Sequence, residues 1–490
     1  MRVALVVPAW RPEEIFSART AGTQINYWQP LGTLYVASAL QASGHTVRFY
    51  NGAFLTHPEI MERLKGFSPG AVGIYSTTFG WDKAKAFATD ARQIVPEAFI
   101  FVGGPYPVAL GAQCLADAGA EALDAAVTGE GELTSVEALL RLCSGATLAG
   151  VKGLAWRERG EIRDNGPREL IMDLDALPFP ARDLLDDAGS YVPPPATYRR
   201  WPVAVMTTSR GCNRHCLYCF QIDRTRSRGI RYRSVDDVLD EIELCLKQGY
   251  REIKFIDDTL AADYDRAMAL AAGIKGRGLD FTWFASACVN QVDKPLLQAF
   301  KDAGCWAILF GAESGVQKNL NTIRKGIRLA DTRAAVKAAQ EVGLKVLTPF
   351  LIGIPGETYD EALETIRFAC ELNPDVANFH AITPFPGTDL YDRMAEFGSV
   401  SAELTDYTYQ GIAFVPHTMT REQIAELRQL AFKRFYSRPS FLLRRLVQMR
   451  SMNDLRVAVN GMRSLFWIWV SKGLFKRGAD GGRPRESWRG

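Results

Sequence analysis

The sequence has no uninterrupted apolar run of about 18 residues, the length a helix needs to cross a bilayer, and this argues against a membrane span. It has no export signal: the apolar run within residues 1–8 is too short for one and reads as a buried first strand. Cysteine is sparse and odd in number, nine in 490 residues, which without an export signal points to a reducing cytoplasm rather than a disulfide framework. Six of the nine, Cys114, Cys143, Cys245, Cys288, Cys305 and Cys370, stand singly and read as small buried hydrophobes. A disordered composition is lacking too. Hydrophobic residues at 47% and charged residues at 23% describe an ordinary globular chain, long enough for two or three domains with cores of their own.

The other three cysteines, Cys212, Cys216 and Cys219, share one loop at the spacing C-x3-C-x2-C, directly after an apolar β-type run at 202–206. Cubane [4Fe–4S] clusters are held by cysteine thiolates, and three thiols on one loop reach three of the four irons. The fourth iron is then open to a small molecule, an arrangement for chemistry rather than for electron transfer alone. Zinc would want a fourth protein ligand in a tetrahedral set, and His215 inside the loop is badly placed to supply it. With Tyr218 just before the last cysteine, the loop resembles the signature of the radical S-adenosylmethionine (SAM) enzymes. The resemblance implies that the three cysteines are the catalytic cluster ligands and that Tyr218 lies beside the cofactor. It also implies that SAM chelates the open iron through its amino and carboxylate groups.

Residues 1–150 alternate strand-like runs, at 3–7, 45–50, 71–76, 100–102 and 125–127, with helical ones, the first at 31–43 and stopped by Gly44. Such alternation predicts an α/β fold with a doubly wound, Rossmann-like parallel sheet whose ligands sit at the carboxyl ends of the strands. Those ends carry Ser76, Thr77 and Thr78, then Gly103 and Gly104, then Gly129, Glu130, Gly131 and Glu132. Glycine lets backbone approach a bulky ligand, though the same residues also suit tight strand-to-helix turns. Together with Pro30-Leu31-Gly32, their order and spacing resemble the N-terminal cobalamin-binding domain of many radical SAM enzymes, which implies cobalamin at these loops. The D-x-H-x-x-G motif, whose histidine ligates cobalt in other cobalamin proteins, is absent, and His45 and His57 lack that context. The resemblance then implies a lower cobalamin face met by the loops without a histidine ligand.

Residues 151–197, with Leu177-Pro178-Phe179-Pro180 and a proline triplet at 193–195, favour extended backbone and are expected to form a Pro-rich linker. Between 198 and 400, six strand candidates at 203–208, 252–257, 281–286, 306–311, 345–352 and 376–382 alternate with helical patterns. This predicts a partial (β/α)6 barrel with its functional groups at the C-terminal ends of the strands. Asp257 and Asp258 follow the second strand, Glu313 and Ser314 the fourth, and Gly353, Pro355 and Gly356 the fifth. By resemblance these hold SAM: Asp257 or Asp258 near its ammonium, Glu313 and Ser314 at the ribose or amino-acid part, and the glycine loop against adenine. The local sequence alone also allows helix caps at Asp258 and Ser314. The Asp257-Asp258 pair stands where many relatives carry Gly-Gly-Glu.

Nine arginines, from Arg199 to Arg233, crowd the cysteine loop. Without interleaved stacking aromatics or a net basic domain they read as partners for an acidic substrate, the SAM carboxylate or solvent, and not as a nucleic-acid surface. The chain's net charge of +3 conceals a basic end: residues 433–490 carry fourteen Lys/Arg against three Asp/Glu. Residues 401–490 are expected to be a helical extension, with helices at 421–436, 440–450 and 453–472. Its run at 464–470 is apolar all round and has basic neighbours. That run reads either as a helix packed on the barrel or as a peripheral contact with the inner face of the membrane. Beyond Arg477 disorder is expected.

The resemblance covers residues 1–400. It implies a cytoplasmic enzyme using a [4Fe–4S] cluster, SAM and cobalamin, served by an external electron donor such as flavodoxin or ferredoxin. In such an enzyme a 5′-deoxyadenosyl radical takes hydrogen from an unactivated carbon of a small molecule, lipid-like, tetrapyrrole or natural product. Methylcobalamin then delivers a methyl group, which would make the protein a C-methyltransferase. Within the family the alternative is an oxidative cyclase or ring-rearranging enzyme; a methylthiotransferase would want a second, N-terminal three-cysteine cluster. A redox or cofactor sensor would not need the complete set of SAM-site motifs.

Overall fold

A computed structural model describes residues 1–11, 27–194, 197–223, 229–408 and 410–448, with side chains to Arg444 at the C-terminal end. The helix expected at 453–472, its apolar run at 464–470 and the segment after Arg477 lie outside the described residues. Among the described residues no helix is long and apolar enough to cross a membrane.

The first half is a sheet of β1 (Arg2–Val7), β2 (Thr46–Asn51), β3 (Ala71–Tyr75), β4 (Phe99–Gly103) and β5 (Ala125–Val127), all parallel, in the order β2-β1-β3-β4-β5. Its strands are apolar and almost wholly buried because helices cover both faces, which leaves separate cores on either side. The order reverses between β1 and β3, and in doubly wound sheets that reversal opens a ligand crevice at the strands' carboxyl ends.

The segment expected to be a linker begins otherwise. β6 (Leu154–Glu158) and β7 (Glu161–Asp164) add an antiparallel hairpin to the sheet beyond β5. Its turn residues, Arg159 and Gly160, both have positive φ, as a two-residue hairpin turn matching strand twist requires. After this hairpin the described residues leading to the second half are irregular, with two short 3-10 turns at Arg182–Leu184 and Ala188–Ser190.

That half contains β8 (Val203–Met206), a short antiparallel pair of β9 (Ser209–Arg210) with β10 (Arg231–Tyr232), and then β11 (Glu252–Phe255), β12 (Thr282–Ala287), β13 (Cys305–Phe310), β14 (Lys345–Ile352) and β15 (Val376–Ala381). The strands other than β9 and β10 form one six-stranded parallel sheet in the order β8-β11-β12-β13-β14-β15, the expected partial barrel. Residues facing out, such as Ile253, Phe255, Ile308 and Phe350, join the helices in the largest core. Inside, Phe284, Trp306 and Leu347, with Val376, form a separate apolar plug.

An open barrel leaves two strand edges with unpaired backbone groups. At the β8 edge, Val205 N–H donates to Gln29 Oε1 (3.1 Å), while Val205 C=O accepts from Arg182 (2.7 Å). At the β15 edge, the Tyr436 hydroxyl accepts from Ala377 N–H (3.1 Å) and donates to Ala377 C=O (2.9 Å). Tyr436 ends the helix Arg421–Tyr436, one of those expected from the sequence. Arg182 also pairs with Glu241 at 2.7 Å, both side chains being buried. The segment from the first half thus seals one side of the barrel and the C-terminal helix seals the other.

Candidate functional site

The cysteine loop leaves β9 and returns through β10, so the short antiparallel pair clasps it at its stem. Gly211 at this clasp has φ of 97°, and a Cβ there would stand 2.7 Å from the Gly229 carbonyl, so no other residue fits without movement. Arg214 N–H points at Cys212 Sγ (3.4 Å), and Gln221 Nε2 lies 3.9 Å from Cys219 Sγ and 3.1 Å from Asp258 Oδ2. Cys216 is buried, which pushes its thiol up to about 11, and Cys212 and Cys219 are close enough to act on it electrostatically. Burial also raises Cys219. Among the described residues no three thiol, imidazole or carboxylate groups converge on a point that could hold a single ion. Three thiols sharing one loop, supplied with nearby N–H donors, fit the donor set of a larger cluster that takes one thiolate per iron.

Of the acidic pair after β11, each residue faces a different way. Asp257 is buried, and its Oδ1 accepts from Thr208 N–H (3.0 Å), Thr208 Oγ1 (2.9 Å) and Ser209 Oγ (2.5 Å). It pins the stem of the cysteine loop, its other oxygen is buried without a partner, and burial raises its pKa. Asp258 is exposed and sits with Gln221 beside Cys219.

Glu313 adopts a φ of 60°, uncommon for a residue with a Cβ, and its backbone bridges to β14 by bonds with Pro349 and Leu351. Its carboxylate pairs with Lys325 at 2.7 Å, and Lys325 in turn acts electrostatically on Cys216 and Tyr218. Ser314 is wholly buried; its hydroxyl meets Thr365 (3.1 Å) and accepts from Val316 N–H (3.1 Å), so it serves the turn itself. In the loop after β14, Gly353 and Gly356 have positive φ, and Pro355 lies buried between them. Glu357 folds back beneath that loop to accept Gly353 N–H (2.7 Å), Ile354 N–H (3.2 Å) and Asn319 Nδ2 (3.0 Å). Burial outweighs these donors and pushes its carboxyl up to about 8. The sequence pattern does not point to Lys325 or Gln221. Glu357 does carry a signal, as the acid closing the Gly-Ile-Pro-Gly run, whereas the other two become visible only once the loops are folded together.

In the first half, Ser76 and Thr78 are buried at the end of β3, with Thr77 at the turn into the following helix. Gly104 needs its glycine: φ is 107° and a Cβ would lie 2.6 Å from Ser76 O. At Gly129 a Cβ would meet nothing, and at Gly103 only Val127 at 3.9 Å. The fold does not require glycine at those two positions; a broad ligand lying on the loops would. Gly131 opens the helix Gly131–Cys143. The Glu130 carboxylate accepts from Arg231 (2.9 Å), Arg210 (3.0 Å) and Ile171 N–H (2.8 Å), and Glu132 pairs with Arg210 at 2.7 Å. Arg210 immediately precedes Gly211 and Cys212, so the glycine loop of one half is tied to the stem of the cysteine loop in the other.

Two family models match the chain: that of the radical SAM superfamily at residues 206–369 and that of the B12 binding domain at residues 21–139. The uncharacterized methyltransferase PH0819 of Pyrococcus horikoshii is 34% identical over 479 residues, covering 95% of this chain and 99% of that protein. Cytidylyl-2-hydroxyethylphosphonate methyltransferase of Streptomyces wedmorensis is 30% identical, covering 81% of this chain and 84% of its own. An anaerobic magnesium-protoporphyrin IX monomethyl ester cyclase of Cereibacter sphaeroides is 27% identical, with 89% and 70% covered. In fold, the chain is like the solved radical SAM methyltransferase TsrM of Kitasatospora setae, with a TM-score of 0.65 at 19% identity over 81% of this chain and 76% of that one.

Proposed function

Because this chain belongs to the radical SAM enzymes that carry an N-terminal B12-binding domain, we propose that it transfers a methyl group from SAM, by way of cobalamin, to an unactivated carbon of a small molecule. Its cofactors are a [4Fe–4S] cluster, SAM and cobalamin. When bound, they supply reductive cleavage of SAM, with an electron from an external donor such as flavodoxin or ferredoxin, and a transferable methyl group.

The chain's own residues have distinct tasks. Cys212, Cys216 and Cys219 hold three irons, with the Arg214 amide and Gln221 turned to their sulfurs. Asp258, exposed beside Cys219, is the carboxylate for the SAM ammonium, while Asp257 acts as a positioning residue that fixes the loop stem. Glu313 faces SAM with Lys325 as its counterion, Tyr218 packs beside them, and Ser314 supports their turn from below. The loop of Gly353, Pro355 and Gly356 offers its backbone to adenine, with Glu357 fixing its shape. Ser76, Thr77, Thr78, Gly103, Gly104, Gly129 and Gly131 form the cobalamin floor, and Glu130 holds that floor to the barrel.

The observation that carries the reading is the Glu130–Glu132–Arg210–Arg231 cluster. It ties the proposed cobalamin loops to Arg210, two residues before the first cluster cysteine, and so supports one chamber serving both cofactors. Anaerobic turnover with candidate acceptors tests it: methyl transfer yields both S-adenosylhomocysteine and 5′-deoxyadenosine. Formation of 5′-deoxyadenosine alone would favour the cyclase reading, which the likeness to the magnesium-protoporphyrin cyclase keeps open.

A further inference from the structure

The inside of the barrel is not filled. Lumen-facing residues one step above the apolar plug, among them Ser286, Leu309, Pro349 and Asn378, keep partial exposure, and Ile256 at the end of β11 is 46% exposed. The outward-facing neighbours on the same strands are buried. Into this space, from the middle of β11, projects Lys254. Its Nζ lies 3.0 Å from the centroid of the Phe284 ring on the plug. Among the described residues it makes no hydrogen bond or ion pair.

Its nearest carboxylate in sequence is Glu252, below it on the same strand. That group is already saturated, by Trp306 Nε1 (2.9 Å), Thr282 Oγ1 (2.6 Å) and the backbone amides of Arg199 (2.8 Å) and Arg200 (2.7 Å). Glu252 and the Cys305 thiol act on Lys254 electrostatically, but among the described residues no acid bonds it, and an ammonium in an apolar lumen without such a partner is costly to keep and rarely serves the fold. Burial lowers its pKa to about 7, and a negative charge arriving beside it would favour the ammonium form again. Ile256, Ser286, Leu309, Pro349 and Asn378 around the space bring no carboxylate to repel such a charge. The parallel register sets Lys254 beside Val205, just ahead of the cysteine loop, so a group bound to it hangs beneath the site of chemistry.

We propose that Lys254 is the anchor for an anionic group of the substrate, a carboxylate or a phosphonate or phosphate, and that the substrate is accordingly a small acid and not a neutral lipid. The proposal rests on the barrel lumen being the substrate chamber of the methyl-transfer reading.

The test uses enzyme reconstituted with cluster and cobalamin, a small neutral acylating reagent, and residue-level mass spectrometry, with methylphosphonate and acetate as probes. At twice its dissociation constant, methylphosphonate or acetate should slow acylation of Lys254 by about threefold while leaving Lys345 unchanged. Absence of protection by either anion overturns the proposal. Protection by SAM alone, to which neither anion adds, also overturns it and gives the lysine to the cosubstrate carboxylate. In Lys254→Met, broadening of the methylphosphonate phosphorus resonance seen with the parent enzyme should vanish while iron and cobalamin content are retained; unchanged broadening would sink the idea. If the variant fails to load cofactors, the labelling of the unaltered enzyme still decides. None of these readouts depends on methyl transfer, so failure of that reading shows separately, as missing S-adenosylhomocysteine.

Discussion

Replacing Glu130 discriminates a clamp from a cofactor ligand. Its side chain is 4% exposed and that of Arg231 is 5% exposed, and among the described residues Arg231 has only the Ile171 carbonyl as a further acceptor. Glu130→Ala therefore leaves a buried guanidinium underpaired and the Ile171 N–H without its acceptor, a loss of about 3–5 kcal/mol by the behaviour of other broken buried pairs. Glu130→Gln keeps one acceptor oxygen and should cost about 2 kcal/mol. Arg231→Met strands Glu130 less completely, because Arg210 stays at 3.0 Å, and the double variant should be less destabilised than the two singles combined by at least about 1 kcal/mol. Urea unfolding of the cofactor-free protein measures all four corners of this cycle. If Glu130→Ala changed cofactor-free stability by less than about 1 kcal/mol yet abolished cobalamin binding, Glu130 would be a ligand of the cofactor and the clamp reasoning would fail.

Tyr436→Phe removes the group that satisfies both backbone atoms of Ala377 on the β15 edge; thermal unfolding should show a loss of about 1–3 kcal/mol, and no change would mean that solvent serves that edge equally well. Glu357 binds its proton more tightly folded than unfolded. Stability should therefore fall as pH rises from about 4.5 to about 8, by at most about 5 kcal/mol, and Glu357→Gln should flatten this slope in denaturation curves taken across that range. Cys216→Ala should abolish SAM cleavage while the protein stays folded by circular dichroism, and a variant that still produced 5′-deoxyadenosine at the parent rate would contradict its assignment as a cluster ligand.

Much of the architecture is legible in the sequence because parallel strands buried on both faces are continuous apolar runs. The runs at 345–352 and 125–127 coincide with β14 and β5, and the helix at 421–436 begins at a Thr420 capping box. The β6–β7 hairpin is hidden by the prolines that follow it and by its turn, where Arg159 stands in place of the Asn, Asp or Gly that marks a two-residue hairpin. Site roles were less legible for a physical reason: sequence order gives which loop a residue occupies, not where its side chain points. Asp257 and Asp258 are neighbours in sequence, yet one pins the loop stem and the other faces Cys219 and Gln221. Ser314 likewise spends its hydroxyl on Thr365, and the Lys325–Glu313 pair joins residues twelve apart whose meeting depends on the left-handed turn at Glu313.

The central claim is that one chamber joins the cluster loop to a cobalamin floor. The most direct measurement is iron, sulfide and cobalamin per chain after anaerobic purification with added hydroxocobalamin, repeated on Arg210→Met. The parent protein should hold about four irons and about one cobalamin. Loss of the shared clamp should lower both contents together. A parent with four irons and no cobalamin, or an Arg210→Met variant retaining both in full, would contradict it.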